Sequence, residues 1–124
     1  MQRLVAQVSR IRADTLRTGF LGSDDFAKLQ FQVGEIIACE AVKKSKKLLC
    51  SQVKIGSQVR QIVSGIKNYY TPEEMVGKKV MVLVNLKPAK LCGVDSFGMI
   101  LASGEEDVKV VFLDPTAKNG DRIH

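Results

Sequence analysis

The segment Asn85-Leu86-Lys87-Pro88-Ala89-Lys90-Leu91-Cys92-Gly93-Val94-Asp95-Ser96-Phe97-Gly98-Met99 gathers the densest set of chemically capable groups in the chain. Lys87 and Lys90 flank Pro88. Proline offers no amide donor and fixes φ, so a strand leading into it must stop there. The two ammonium groups can then project to one side of a rigid corner. Gly93 and Gly98 permit positive φ or close approach of the backbone. Asn85 and Ser96 add compact donors and acceptors. Such a loop suits a ligand carrying both phosphates and bases. A glycine-rich corner with ordinary surface lysines would have the same composition.

Two further clusters stand beside it. In Ser64-Gly65-Ile66-Lys67-Asn68-Tyr69-Tyr70 a cation adjoins two aromatic rings, an arrangement that can stack a base. The same spacing lets at least one tyrosine pack under a following helix. In Lys43-Lys44-Ser45-Lys46-Lys47 four lysines fall within five positions.

These lysines dominate the charge pattern. Residues 43–90 carry eleven basic and two acidic side chains, a net of +9, within a chain whose total is +6. Residues 91–124 carry three basic and six acidic, a net of −3, and residues 1–42 balance to zero. One segment therefore makes the positive field, and a polyanion is its natural partner, although a solvated lysine-rich surface would look alike.

Other chemistry is excluded by what is missing. The only histidine is His124, so a histidine-based triad and a histidine-ligated metal site are ruled out. Cys39, Cys50 and Cys92 form no C-x-x-C pair. Two of the three lie in apolar, strand-like runs, which reads as buried reduced thiols in a reducing, cytoplasmic compartment. No cofactor is implied. No apolar run approaches the roughly 20 residues of a membrane helix.

The 124 residues suffice for one domain. Leu4, Val8 and Ile11 fall at helical spacing among four arginines, so residues 1–22 read as an amphipathic extension or a linker remnant. No continuous apolar run follows to make a secretory signal. Ser23 can cap a short helix that ends by Gln30, with Asp24 and Asp25 in its first turn. Strands are expected at Val33–Cys39, Leu48–Ile55 and Val59–Ser64, the last two joined at Gly56-Ser57. Thr71-Pro72-Glu73-Glu74 predicts a capped helix to about Val76, ended by Gly77. Strands follow at Val80–Val84 and Met99–Ser103, with an extra one at Val108–Leu113. Five short strands with a helix between the third and fourth is the order of the OB-fold, a mainly β, five-stranded Greek-key barrel. Counting alone leaves a sandwich or an SH3-like barrel open.

The run "IVSGIKNYYTPEEMVGKKVMVLVNLKPAKLCGVDSFGMILAS" and the opening "DDFAKLQFQVGEI" resemble the tRNA-binding domain family. Its members include the C-terminal domain of many methionyl-tRNA synthetases, stand-alone bacterial tRNA-binding proteins, and the endothelial monocyte-activating polypeptide domain of animal synthetase complexes. The resemblance covers about residues 24–124. It implies an OB-fold domain over 23–124 that binds tRNA through shape and backbone without catalysis, commonly as a homodimer. Its binding positions fall on Ser64, Asn85, Lys87, Lys90, Ser96 and Met99. To these the charge reading adds Lys67, Lys43, Lys44, Lys46 and Lys47.

The chain departs from the family at two places. The linker that often reads "HPDADKLY" is here lysine-rich, and a basic residue that often precedes the glycine at Gly93 is replaced by Cys92. The lysine run superficially resembles the "KMSKS" loop of synthetase catalytic domains, but the companion "HIGH" box needs a histidine absent here. Whether the domain stands free or is joined to a synthetase catalytic domain stays open. A second reading is a protein-binding module of the same fold, a secretion-type chaperone or a docking unit. The homodimer has its own support: Leu4, Val8, Ile11, Phe20, Leu21, Val110, Val111 and Phe112 lie outside the five core strands and would otherwise form an apolar patch.

Overall fold

A computed structural model of the chain describes residues 19–124. In order these form α1 (Ser23–Ala27), β1 (Phe31–Ala41), β2 (Leu49–Ile55), β3 (Gln58–Ser64), α2 (Pro72–Met75), β4 (Lys79–Leu83), β5 (Ala89–Leu91), β6 (Val94–Ser96), β7 (Met99–Ile100), β8 (Ala102–Ser103), β9 (Lys109–Val110) and β10 (Arg122–Ile123). The main sheet runs β3-β2-β1-β4-β7.

β1 pairs with β2, β4 and β10. Its first half, Phe31 to Glu35, pairs with β4, and Glu35 to Ala41 pairs with β2. A bulge between Ile36 and Ala38 marks the change of partner, and a bulge bends and twists its strand. Gly34 sits just before it. A Cβ there would stand 2.6 Å from Val53 Cγ1 and 2.9 Å from Val82 Cγ2. Only hydrogen fits where β2 and β4 curl toward each other.

The curl closes through the chain after β4. The Phe97 amide donates to the Gln61 carbonyl at 2.8 Å. The Val63 amide donates to Ser96 Oγ at 2.9 Å. These bonds tie the end of β6 to β3, the opposite edge of the sheet. The circular order, with α2 between β3 and β4, is that of the OB-fold barrel, as the sequence predicts. Ile36, Leu49, Val53, Ile62, Val80 and Val82 fill its interior without exposure. Met75 of α2 joins the same buried cluster. The predicted capping box is present: Thr71 Oγ1 accepts from the Glu74 amide, and Glu74 Oε1 accepts from the Thr71 amide. Gly77, at φ +90°, ends the helix and donates its amide to the Ile36 carbonyl at 2.7 Å.

Several expectations need correction. Gly22, not Ser23, is the N-cap of α1, and no side chain caps it. The Gly22 carbonyl takes the Asp25 and Phe26 amides instead. The strand expected at Met99–Ser103 is split at Leu101, because pairing passes there from β4 to β9. The extra strand at Val108–Leu113 is reduced to Lys109–Val110 in the ladder, with Phe112 bridging Val80. The β5–β6 hairpin and β10 were not expected. β10 pairs with Phe31 and Gln32 along the part of β1 that β2 does not reach. Val110 belongs to the core and not to an exposed patch. The helix predicted over Leu4, Val8 and Ile11 lies outside the described residues.

Candidate nucleic-acid interface

The lysine run forms the connection between β1 and β2. The Val42 amide donates to the Leu48 carbonyl at 3.1 Å and closes the loop. Ser45 organises its tip: its amide donates to the Val42 carbonyl, and its Oγ accepts from the Lys47 amide at 3.1 Å. The Ser45 carbonyl receives Lys67 Nζ at 3.2 Å, while the Lys67 amide donates to the Lys47 carbonyl at 3.1 Å. The half-buried Lys67 thus fastens the loop from below, and its ammonium group is already engaged. Lys43, Lys44, Lys46 and Lys47 are exposed. None of them is in an ion pair among the described residues.

A groove of about 350 Å³ lies between the end of β3 and the chain after β4. Ser64, Lys87, Ser96 and Met99 line it, with Leu86 and Leu91 as apolar walls. It therefore unites four of the six positions drawn from the family resemblance. Lys87 is exposed and unpaired among the described residues, and Met99 is exposed as well. Ser96 is different. It is buried, and its hydroxyl accepts from Val63 and donates to the Gly98 carbonyl at 3.3 Å. Its side chain holds the seam.

Asn85 is likewise occupied. Its Nδ2 donates to the Lys28 carbonyl at 2.6 Å, and its Oδ1 accepts from the Gln30 amide at 2.9 Å. Both ends of the carboxamide secure the segment that leads into β1. Lys90 lies on β5 opposite Asp95 of β6, with 3.7 Å between charges. The pair is solvent-exposed, so Asp95 reduces the field of Lys90 without removing it from use.

The β5–β6 hairpin connects these parts. Its turn, with Cys92 at φ +48° and Gly93 at φ +79°, shares a recess of about 380 Å³ with Lys43 and Lys44. Leu91, on the same hairpin, lines the Lys87 groove. The hairpin thus stands between Lys43 and Lys44 on one side and Lys87 on the other, and carries Lys90 itself. In OB-folds the face of the second and third strands, with the loops between strands one and two and strands four and five, is where oligonucleotides bind. Both basic elements here occupy those loops.

Two features escaped sequence reasoning. Arg60 of β3 donates through Nη1 to the Val84 and Phe97 carbonyls and so anchors both ends of the glycine-rich corner. An arginine between Val59 and Gln61 in a strand gives no signal that it reaches across a barrel. Phe97 is an exposed aromatic between Ser96 and Gly98. Its neighbours marked a turn, not a platform. Of the two tyrosines, Tyr70 packs on the core: its hydroxyl accepts from the Val110 amide at 3.0 Å, and its ring meets Phe112 edge-on. Tyr69 donates its hydroxyl to the Glu106 carbonyl at 2.9 Å.

Cys92 is exposed in the β5–β6 turn, while Cys50 is buried and Cys39 is partly buried. Burial pushes the Cys39 thiol up, partly opposed by the Ser51 hydroxyl, and burial with the nearby Glu40 carboxylate does the same to Cys50. Among the described residues no cluster of three or more His, Cys, Asp or Glu could hold a metal ion. No helix there is long and apolar enough to cross a membrane.

The match to known proteins follows this geometry. A methionine–tRNA ligase of Methanococcus aeolicus is 56% identical over 103 residues, covering 83% of this chain and 15% of the ligase. The chain thus spans a small part of that relative. The solved structure described as a MetRS related protein from Pyrococcus horikoshii superposes with a TM-score of 0.81 at 37% identity, covering 86% of this chain and 99% of that one. A CsaA chaperone protein from Picrophilus torridus superposes with a TM-score of 0.77 at 25% identity, covering 85% and 100%. The family model described as "Putative tRNA binding domain" matches residues 31–122, from the start of β1 into β10, and the chain belongs to that tRNA-binding domain family.

Proposed function

We propose that the chain is a non-catalytic module that holds tRNA by its phosphate backbone and shape. The observation that carries this reading is the set of exposed lysines at 43, 44, 46, 47 and 87, free of ion pairs among the described residues and placed on the two loops that flank the β5–β6 hairpin. Lys90 adds a partly screened charge. Few side chains here read base edges in a duplex, so several tRNA species bind with similar strength and duplex DNA of equal length binds less well. The domain spans 23–124, preceded by an extension. It works in the cytoplasm as a homodimer, either free or joined to the catalytic part of a methionyl-tRNA synthetase. The similarity to methionine–tRNA ligases supports the second arrangement.

Titration of labelled, unfractionated tRNA over a salt series tests the reading. About three to five phosphate contacts give a log–log slope of about −2 to −5. Replacing Lys43, Lys44, Lys46 and Lys47 by Gln reduces that slope by about 0.7–0.9 for each phosphate no longer neutralised. An unchanged slope in that variant contradicts the assignment of the loop.

The apolar walls Leu86, Leu91 and Met99, with the likeness to a CsaA chaperone protein, favour one second reading, a module that binds an unfolded polypeptide. Binding of that kind is insensitive to salt, or strengthens as salt rises, and this separates the two.

A further inference from the structure

A recess of about 450 Å³ lies apart from the loop lysines and Lys87. It lies on the outer side of β2 and β3, walled by Gln52, Val59, Gln61, Leu86, Pro88 and Phe97. Phe97 is 41% exposed and Leu86 is 40% exposed. The Phe97 ring has no aromatic or cationic partner among the described residues. Yet its backbone is fixed at both ends: the amide donates to the Gln61 carbonyl at 2.8 Å, and the carbonyl accepts from Arg60. An exposed aromatic ring on a rigid backbone is a ready platform for a flat π-system, and such stacking tolerates any base.

The polar groups around the ring are the Gln52 and Gln61 amides, with Asp95 and Arg60 beside them. Gln52 Nε2 donates to Gln61 Oε1 at 3.1 Å, and Gln61 Nε2 donates to the Asp95 carbonyl at 2.8 Å. This chain of bonds fixes both carboxamides. It leaves the Gln52 carbonyl oxygen without a partner among the described residues and each amide nitrogen with a second proton to give. Asp95 also lines the recess, and its carboxylate disfavours a phosphate there. Arg60, the cation of the recess, is turned to the Val84 and Phe97 carbonyls and to Gln58. The environment therefore favours a neutral, flat, hydrogen-bonding group over a phosphate. Leu86 belongs both to this recess and to the Lys87 groove, so a backbone held at Lys87 can deliver a base next door.

We infer that this recess is a nucleobase subsite, in which an unpaired base of a bound RNA stacks on Phe97 with its edge toward the Gln52 and Gln61 carboxamides. The inference rests on the tRNA-binding reading and adds to it a preference for RNA with an unstacked base near the contacted backbone.

The test exploits the absence of tryptophan from the chain. A Phe97→Trp variant carries a single indole at the platform. Its emission is titrated with tRNA, with a fully paired RNA duplex, and with heparin, a polyanion that has no bases. Expected is strong quenching by tRNA and little by the duplex or heparin, although heparin binds. Binding of tRNA without quenching, or equal quenching by heparin, overturns the subsite and leaves the tRNA-binding reading standing. Failure of both polyanions to bind the unsubstituted chain removes that reading itself. A Phe97→Leu variant, checked for an unchanged melting curve, loses about 5- to 100-fold in tRNA affinity. Its salt slope stays the same, because the lysines still neutralise the same phosphates. An equal loss for the paired duplex overturns the proposal.

Discussion

The hydroxyl of Ser96 accepts the Val63 amide at 2.9 Å, where a barrel strand would ordinarily offer a backbone carbonyl. A side chain thereby completes the ladder between β3 and the chain after β4. The hydroxyl hydrogen then goes to the Gly98 carbonyl, so the group is used in both directions. Ser96→Ala strands a buried amide and costs about 1–3 kcal/mol of stability. Thermal melting detects that as a lower Tm. Binding of tRNA per folded molecule is expected to hold. A variant with an unchanged Tm and lost binding would make Ser96 a ligand contact instead.

Asn85 invites a similar test at the other end of the glycine-rich corner. Its carboxamide joins the Lys28 carbonyl and the Gln30 amide, two backbone groups that precede β1. Asn85→Ala removes both bonds, each worth about 1 kcal/mol net in folded proteins. Amide hydrogen exchange at Gln30 rises in the variant. Asn85→Asp keeps the bond from Gln30 but loses the donor to Lys28, so its effect falls between. Equal exchange in all three proteins contradicts the structural assignment.

These two residues show how far the sequence could be read. The barrel was legible because its signals are local: the strand-like runs of β2 and β3 joined at Gly56-Ser57, the apolar run of β4, and the Thr71–Glu74 capping box. The site was legible as a region, since Pro88, two glycines and two lysines announce a rigid polar corner. What each polar side chain does was not legible. Ser96 and Asn85 look alike in sequence to ligand-binding groups. Their partners lie 33 and 55–57 residues away, and only the closed barrel brings them together. The loop-fastening contact of Lys67 was hidden for the same reason: its carbonyl partner sits across a loop, 22 residues away. The β5–β6 hairpin was hidden because three-residue strands with exposed residues carry no periodic signal.

Lys87 and Lys90 are expected to differ, though the sequence treats them alike. Lys87 has no acidic partner among the described residues, whereas Lys90 stands 3.7 Å from Asp95. A polyanion has to compete with that carboxylate. Replacing both by Ala costs roughly 1–3 kcal/mol of tRNA binding, with little change in Tm. In the single variants the larger share falls on Lys87. Asp95→Asn frees Lys90 and raises affinity at low salt, an advantage that fades as salt screens the charge. Equal losses at the two lysines, or no gain in Asp95→Asn, would show that the Lys90–Asp95 pair is not closed in solution.

The surface around α1 is open to a partner. This helix buries none of its residues, and Phe20, Leu21, Phe26 and Leu29 are all exposed. The Phe26 ring stands 6.3 Å from that of Phe31 at the start of β1. The apolar residues are therefore near the sheet but incompletely covered by it. Val110 adds nothing to an exposed surface, because it is core, while Val111 and Phe112 remain exposed. Four large apolar side chains within ten positions form a patch of the kind that marks an interaction surface. A second copy related by a twofold axis can cover it with the same patch. Two basic surfaces would then act on one tRNA, with a gain in avidity if both engage. Sedimentation at micromolar concentration is expected to give twice the 13.6 kDa of the chain. Phe26→Asp with Leu29→Asp shifts it to the monomer and weakens tRNA binding, while the barrel keeps its Tm. A monomer from the unsubstituted chain would end the proposal. A dimer that survives the double substitution would move the interface away from α1.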